Sequence, residues 1–203
     1  MVQQGKEMIE HLSDRKPPLG IRRMRKRAHD TIRKKWHIIV DGDDIPPPVK
    51  RFKDMRFPGP ILDKLKAKGI IQPTPIQAQG LPVILSGRDM IGIAFTGSGK
   101  TQVFVLPLIM LALQEEIMMP ILPGEGPFGL IICPSRELAQ QTYEVIEEFL
   151  EPLREAGYPE IRPLLCIGGI DIKSQLDVVK LLHLEDLKIC LLKRKCALRI
   201  ADI

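Results

Sequence analysis

Short apolar runs alternate with longer amphipathic segments over residues 61–180. The runs RDMIGIAF, GLIICP and IRPLLCIGG have the length of strands and end in Gly- or Pro-containing loops. The segments ILDKLKAKG, VFVLPLIMLALQEE and SRELAQQTYEVIEEFLEPLREAG carry apolar residues at helical length or spacing. Strands that alternate with helices predict an α/β fold with a parallel sheet covered by helices, and the strands are expected to be buried.

Three helix boundaries can be predicted from single residues. Thr74 is suited to cap a helix whose first position is Pro75. Ser135 is suited to cap the helix that begins with RELAQQ, and Gly69 is a typical stop after ILDKLKAK. A further polar helix is predicted for DIKSQLDVVK.

The positive charge is concentrated at the N-terminus. The net charge is +5, yet residues 1–40 alone carry +7, chiefly in RRMRKR (Arg22 to Arg27) and RKK (Arg33 to Lys35). This arm is expected to be largely disordered or helical. It is a solvated charge run, a nuclear-import signal, or a contact for nucleic acid or a protein partner. Residues 41–60 contain three consecutive prolines, which predict an extended linker.

Composition excludes several other classes. No apolar run approaches 18 residues, and the N-terminus has no apolar signal segment, so neither a membrane span nor secretion is expected. No two of the four cysteines have C-x-x-C spacing, which makes metal binding unlikely and fits buried thiols in a reducing compartment. The cysteines are Cys133, Cys166, Cys190 and Cys196.

The segment AFTGSGKT (Ala94 to Thr101) predicts a phosphate-binding loop, because it stands between a predicted strand and a predicted helix. Glycines let the backbone turn tightly, so that successive N–H groups and the helix N-terminus surround an anion. Lys100 would reach the β- and γ-phosphates, and the Thr101 hydroxyl would hold Mg²⁺. The alternative is a glycine-rich turn without a ligand. Ala94 replaces the glycine of the general pattern.

Four motifs in register resemble those of DEAD-box ATP-dependent RNA helicases. AFTGSGKT resembles motif I, and GIIQPTPIQ (Gly69 to Gln77) resembles the Q motif, with Phe52 located 17 residues upstream. PSRELAQQ (Pro134 to Gln141) resembles motif Ia with Ser135 in place of Thr, and IGG at 167–169 resembles the GG motif. The linker is similar to that of the Abstrakt-like subgroup, in a plant-type version. The resemblance implies an incomplete N-terminal RecA-like domain at 61–180 that uses ATP, Mg²⁺ and RNA.

The resemblance also implies roles for individual residues. Gln77 would read the adenine edge, Thr74 would support that loop, and Phe52 would stack on the base. Ile70 stands where many members of the family carry an aromatic residue. The phosphate loop would comprise Ala94, Phe95, Thr96, Gly97, Ser98, Gly99, Lys100 and Thr101, with Thr101 also serving the metal. The RNA backbone would contact Pro134, Ser135, Arg136, Glu137, Gly168 and Gly169 without reading sequence.

Members of this family continue after the GG motif into TPGR, then DEAD, then SAT, then a second RecA-like domain. None of these stands in the present sequence. Without the DEAD carboxylates and the second domain, the chain is expected to neither hydrolyse ATP usefully nor separate a duplex. Two alternatives are a non-catalytic module that competes with the full-length helicase, and a P-loop GTPase. The Q motif argues against the GTPase because the resemblance makes it an adenine-selecting element.

Residues 181–203 do not resemble the family in frame. However, this segment can be written with synonymous codons whose translation in a reading frame shifted by one base contains TPGR at the expected place. A deletion or misplaced splice junction after Lys180 would therefore explain this tail as out-of-frame coding sequence. The alternative is an amphipathic C-terminal helix formed through its seven leucines. If central strands are missing, apolar sheet edges stay unpaired and solubility is expected to be poor.

Overall fold

The computed structural model describes Ile21 and residues 23–118, 128–167, 187–192 and 200–201, the last two ranges as backbone only. The helices are α1 (Lys26–Lys35), α2 (Gly59–Ala67), α3 (Pro75–Leu85), α4 (Lys100–Met118) and α5 (Arg136–Glu155), with a 3₁₀ turn at Phe52–Met55. The strands are β1 (Gly92–Ile93), β2 (Gly129–Ile132), β3 (Arg162–Leu165), β4 (Leu187–Leu192) and β5 (Ile200–Ala201).

The chain divides into two compact units. The first comprises residues 10–107 with 199–203, and the second comprises residues 1–9 with 108–198. The first unit contains α1 to α3, β1 and the segment AFTGSGKT. The second contains β2 to β4 and α5. In the described part of each unit, every strand pairing is parallel.

In the first unit, the basic arm is partly a packed helix. Arg33 of α1 is 8% exposed, although it belongs to the charge run RKK. Its guanidinium donates from Nε to Gln79 Oε1 at 3.0 Å and from Nη2 to the carbonyl of Pro46 at 3.1 Å. Gln79 Nε2 donates to the same Pro46 carbonyl at 2.9 Å. These bonds join the arm, the linker and α3, so Arg33 is not a solvated charge.

The proline-containing part of the linker, residues 45–49, is extended as predicted, whereas residues 52–55 form the 3₁₀ turn and α2 begins at Gly59. Residues 45–49 form neither helix nor strand, and the N–H of Val49 donates to the carbonyl of Ala78 in α3 at 2.8 Å. Arg88 donates to the carbonyls of Asp43 and Asp44. The linker is therefore part of the folded first unit.

Helices α2 and α3 begin and end close to their predicted boundaries. Ile61 and Leu65 of α2 are buried at 0% and 1% exposure, while Leu62 is half-buried. The helix ends at Ala67, and Gly69 follows with φ of +74°, a conformation that favours glycine. Thr74 is the N-cap of α3, with Pro75 at its first position.

Strand β1 is shorter and more exposed than the run RDMIGIAF predicts. It pairs with β5 over two residues, Gly92 with Ile200 and Ile93 with Ala201. Ile91 is 73% exposed and Ile93 is 59% exposed. The prediction of a buried strand was wrong because β1 has only one neighbouring strand among the described residues.

In the second unit, β4 lies between β2 and β3. Its register sets Gly129 of β2 opposite Ile189 and Leu165 of β3 opposite Leu191. Residues 187–192 thus supply a central parallel strand, and the alternative of a C-terminal helix was wrong for this segment. The edges of β2 and β3 that face β4 are paired, contrary to the expectation of unpaired edges there.

Helix α5 covers this unit. Its N-cap is Ser135, whose Oγ accepts from the N–H of Leu138 at 3.2 Å, as predicted. Ile146, Phe149 and Leu150 are buried at 0 to 1% exposure. Cys133, just after β2, is also buried; burial raises the pKa of its thiol, and a hydrogen bond with Thr142 partly offsets this shift.

The polar helix predicted for DIKSQLDVVK lies outside the described residues. No helix in the described part is long and apolar enough to cross a membrane.

Candidate nucleotide-binding site

Residues 94–99 of the segment AFTGSGKT form a loop after β1, and Lys100 and Thr101 begin α4, in the strand–loop–helix context that the sequence predicts. Gly97 and Gly99 have φ of +79° and +83°, which residues with a Cβ rarely adopt. The N–H of Ser98 donates to the carbonyl of Phe95 at 3.1 Å. The two glycines and this turn give the loop its tight curvature, which leads directly into the first turn of α4.

Lys100 folds back over the loop. Its Nζ donates to the carbonyl of Ala94 at 2.5 Å, so the ammonium group lies across the loop rather than away from it. Ser98 Oγ is buried and has no hydrogen-bond partner within the described part of the chain. A positive charge, an unpaired hydroxyl and a tightly curved backbone at a helix N-terminus together fit a phosphate group.

Gln77 connects this loop to the cap of α3. Its side chain is 1% exposed, and its Oε1 accepts from the N–H of Thr74 at 3.0 Å. Its Nε2 donates to the carbonyl of Gly99 at 3.1 Å and to Oε1 of Gln102 at 2.5 Å. The structure therefore brings together two pairs of residues that are distant from each other in sequence. They are Thr74 with Gln77 and Gly99 with Gln102.

The contact between Gln77 and the loop leaves no space for a side chain at position 99. A Cβ on Gly99 would overlap Gln77 Nε2, whereas a Cβ on Gly97 would meet nothing within 4 Å. Gly99 is required by both its φ and its neighbour, and Gly97 by its φ alone.

Gln102 was not among the residues predicted from the sequence. It is half-buried in the first turn of α4, and its bond to Gln77 joins residues 25 positions apart. The available signal was a polar residue within the apolar stretch TQVFVLPLIMLAL, in which every other residue after Thr101 is apolar.

Phe52 and Ile70 lie in the same unit as the loop. Phe52 is 5% exposed in the 3₁₀ turn, and Ile70 is half-buried just after Gly69. Stacking of a base on Phe52 would require its ring to be uncovered. The contributions of Phe52 and Ile70 to base binding stay predictions.

The described residues contain no group of three or more His, Cys, Asp or Glu that could hold a metal ion. Thr101 is half-buried at the start of α4. A divalent cation would therefore depend here on the Thr101 hydroxyl and on oxygens that a bound phosphate brings with it.

The segment predicted to contact RNA belongs to the second unit. Pro134, Arg136 and Glu137 are exposed, and Ser135 is half-buried as the α5 cap. Gly168 and Gly169 lie outside the described residues, so their predicted role is not tested by the structure.

An α/β fold with a glycine-rich loop between a strand and a helix, and a lysine folded across that loop, is the architecture of the P-loop class of proteins. Within this class the chain belongs to the DEAD/DEAH box helicase family, whose model matches residues 74–194. The match continues past Lys180 to residue 194 and includes β4, whereas the family resemblance was expected to end at Lys180. The frame-shift origin of residues 181–203 stays a prediction, since a comparison of protein sequences does not test it.

The relatives agree with the resemblance to the plant Abstrakt-like subgroup. The chain is 67% identical over 203 residues to DEAD-box ATP-dependent RNA helicase 35A of Oryza sativa subsp. japonica, covering 89% of this chain and 32% of the relative. It is 54% identical over 164 residues to the Drosophila melanogaster ATP-dependent RNA helicase abstrakt, and this match covers 81% of this chain and 26% of that relative. The chain thus spans about a third or less of these two relatives.

A solved structure confirms the fold. The RNA helicase Prp28 from Chaetomium thermophilum, bound to ADP, superimposes with a TM-score of 0.67 at 31% identity. The superposition covers 83% of this chain and 38% of that one. The predicted RecA-like α/β class is therefore confirmed.

Proposed function

We propose that this chain binds an adenine nucleotide with Mg²⁺ and forms part of the nucleotide-binding domain of an ATP-dependent RNA helicase. The observation that carries the proposal is the Gln77 amide, which bonds both to the Thr74 cap and to the loop carbonyl of Gly99. This bridge connects a group able to read a base with the loop that fits phosphates.

Each loop residue has a role that follows from its position. Lys100, already folded across the loop, would exchange the Ala94 carbonyl for phosphate oxygens, which form stronger charge-assisted bonds. Ser98 Oγ is free to donate to the same phosphates. Thr101 would hold Mg²⁺, which neutralises phosphate charge when bound.

The Gln77 amide would choose the base. A glutamine amide offers one donor face and one acceptor face, and adenine presents the complementary pair at N6 and N7. Guanine presents two acceptors on that edge. It can accept a hydrogen bond from the amide nitrogen of Gln77 but has no hydrogen there to donate to the amide oxygen. The side chain of Gln77 therefore favours adenine over guanine, which argues against the GTPase alternative.

We also propose that the start of α5 contacts the RNA backbone. Arg136 is exposed next to the helix N-terminus, where N–H groups and the helix dipole favour phosphate. Such contacts are independent of base sequence. Gly168 and Gly169 would extend this contact, as the family resemblance implies.

The 203 residues contain no Asp-Glu-Ala-Asp sequence. We propose that they bind nucleotide without turning it over, because the carboxylates that hold the metal and position the attacking water in this family are not among them. On their own, these 203 residues would act as a binding module that competes with full-length helicase for shared ligands.

The basic arm is proposed as a nuclear-import signal or a partner contact. Arg25, Lys26, Arg27, Lys34 and Lys35 are exposed, whereas Arg33 is buried in the bonds that join the arm to α3. Any import receptor or partner would read the exposed residues only. Replacing Lys34 and Lys35 by alanine in a fluorescent fusion should reduce nuclear accumulation, while an unchanged distribution would remove them from the signal.

Nucleotide binding can be tested by titrating the chain with a fluorescent ADP analogue in the presence of Mg²⁺. Lys100→Ala should weaken binding by at least about tenfold, since it removes a charge-assisted bond to phosphate. Lys35→Ala, on the exposed side of α1, is the matched control and should bind as the wild type does. Equal affinity of Lys100→Ala and wild type would refute the proposed site.

Turnover is measured separately as phosphate release from ATP. We expect wild type to release phosphate at the same rate as Lys100→Ala, both in the presence and in the absence of RNA. A higher rate in the wild type would contradict the proposal that the chain binds without hydrolysis.

A further inference from the structure

Gln102 forms the shortest of the three hydrogen bonds made by the Gln77 side chain, with 2.5 Å between Gln102 Oε1 and Gln77 Nε2. It lies just after the loop segment AFTGSGKT, and neither the loop pattern nor the family resemblance gives it a role. Its position beside the base-reading amide raises the question of what it does to base recognition.

The hydrogen-bonding capacity of the Gln77 amide is limited. Its nitrogen carries two hydrogens, and these are directed to the Gly99 carbonyl and to Gln102. Its oxygen accepts from Thr74 and retains one lone pair. Adenine needs one donor and one acceptor from the amide. The acceptor is available, but both donor hydrogens are already used.

One of the two existing bonds must therefore break when adenine binds. The Gly99 carbonyl is backbone, fixed by a φ of +83° and by contact with Gln77 itself. Gln102 is a flexible side chain, half-buried in the first turn of α4. Rotation of Gln102 is the smaller change, so Gln102 is the partner that yields.

We propose that Gln102 is an internal competitor for the Gln77 donor and so lowers the affinity of this chain for adenine nucleotides. The proposal rests on the proposed adenine-binding role of Gln77. Gln102 is a positioning residue that sets how readily the amide turns to the base. It leaves the phosphate contacts of Lys100 and Ser98 unchanged.

The test compares Gln102→Leu with wild type for two ligands, a fluorescent ADP analogue and tripolyphosphate, which lacks a base. ADP should bind Gln102→Leu about fivefold more tightly, the effect of freeing one hydrogen-bond donor. Tripolyphosphate, measured by competition, should bind both equally. Gln140→Leu is the matched control, because Gln140 is exposed on α5, where its Nε2 donates to Glu144 Oε1 at 3.1 Å.

A second variant, Gln102→Asn, shortens the side chain and retains its polarity, and should also bind ADP more tightly. Emission from the single tryptophan, Trp36, reports whether each variant is folded. In a Gln77→Ala background, Gln102→Leu should change ADP affinity less than about twofold, because the competition requires the Gln77 donor.

Unchanged or weaker ADP binding by both Gln102 variants overturns this inference and leaves the proposed function intact. An equal gain for tripolyphosphate also overturns it, since the effect would then belong to the loop and not to the base. Failure of ADP to bind wild type and every variant overturns the proposed function, and this inference with it.

Discussion

Gln77 is the residue that connects the start of α3 to the glycine-rich loop in this chain. Its buried amide holds the Thr74 cap on one side and Gly99 on the other. A buried amide of this kind is costly to disturb, because each lost partner leaves an unsatisfied polar group. The close approach of Gln77 and the positive φ of Gly99 both disfavour a side chain at position 99.

Gly99→Ala and Gly97→Ala form a matched pair that measures this contact. Both substitutions place a Cβ at positive φ, which costs about 1–2 kcal/mol. Only Gly99→Ala also displaces Gln77, so its free energy of unfolding should fall by roughly a further 1–3 kcal/mol. Urea unfolding followed by Trp36 fluorescence gives the difference. Equal losses for the two variants would show that Gln77 does not restrict position 99.

The sequence identifies Gln77 and the loop through the spacing of their motifs, but not the contacts between them. Gln77 and Gly99 are 22 positions apart, and Gln77 and Gln102 are 25 apart. Which carbonyl an amide reaches over such a separation depends on the packing of α3 against the loop. Gln102 was missed for this reason.

Among the elements, α1 differs most from its sequence-based description. RKK looks like a solvated charge run, yet Arg33 donates to Gln79 Oε1 and to the Pro46 carbonyl. Its salt bridge with Asp30 is 3.1 Å long and stays within α1. A charge run gives no sign of which member is buried, because that depends on the path of the linker.

Arg33→Met should lower the free energy of unfolding by roughly 1–3 kcal/mol, since Gln79 Oε1 loses its buried donor. Lys34→Met changes an exposed neighbour on the same helix and should change the free energy of unfolding by less than about 0.5 kcal/mol. Trp36 lies directly after α1 and reports unfolding of this unit. Equal effects of the two substitutions would remove Arg33 from the connection between arm and α3.

Strand β4 could not be predicted from the sequence pattern. A leucine-rich sequence is compatible with a helix or a strand, and a short apolar run does not distinguish the two. The presence of two parallel strands with open edges decides the outcome, and residues 187–192 pair with both. A segment of out-of-frame origin could pair with β2 and β3 as well as any other short apolar run.

Ile189→Pro tests the central position of β4, because proline removes an N–H that a central strand requires. Amide exchange measured by mass spectrometry should become faster over residues 129–132 and 162–165. Ile189→Ala retains the N–H and serves as the control. If the proline and alanine variants exchange alike, residues 187–192 do not pair with β2 and β3.

For the molecule as a whole, the α/β class, the order of the elements from α2 to β3, the N-cap positions Thr74 and Ser135 and the family were predicted from the sequence, whereas strands β4 and β5 were not. Exposure of the strands was not predicted either. Within the first unit, Ile71, Ile91, Ile93 and Phe95 are more than half exposed. Exposed apolar side chains of this kind favour association, so the chain is expected to self-associate at high concentration.

The central claim is that this chain holds an adenine nucleotide by joining Gln77 to the loop that Lys100 crosses. The most direct test is the affinity of wild type and Gln77→Ala for ADP and GDP in the presence of Mg²⁺. We expect wild type to bind ADP at least about tenfold more tightly than GDP, and Gln77→Ala to lose that preference. Equal affinity of wild type for ADP and GDP would contradict the account.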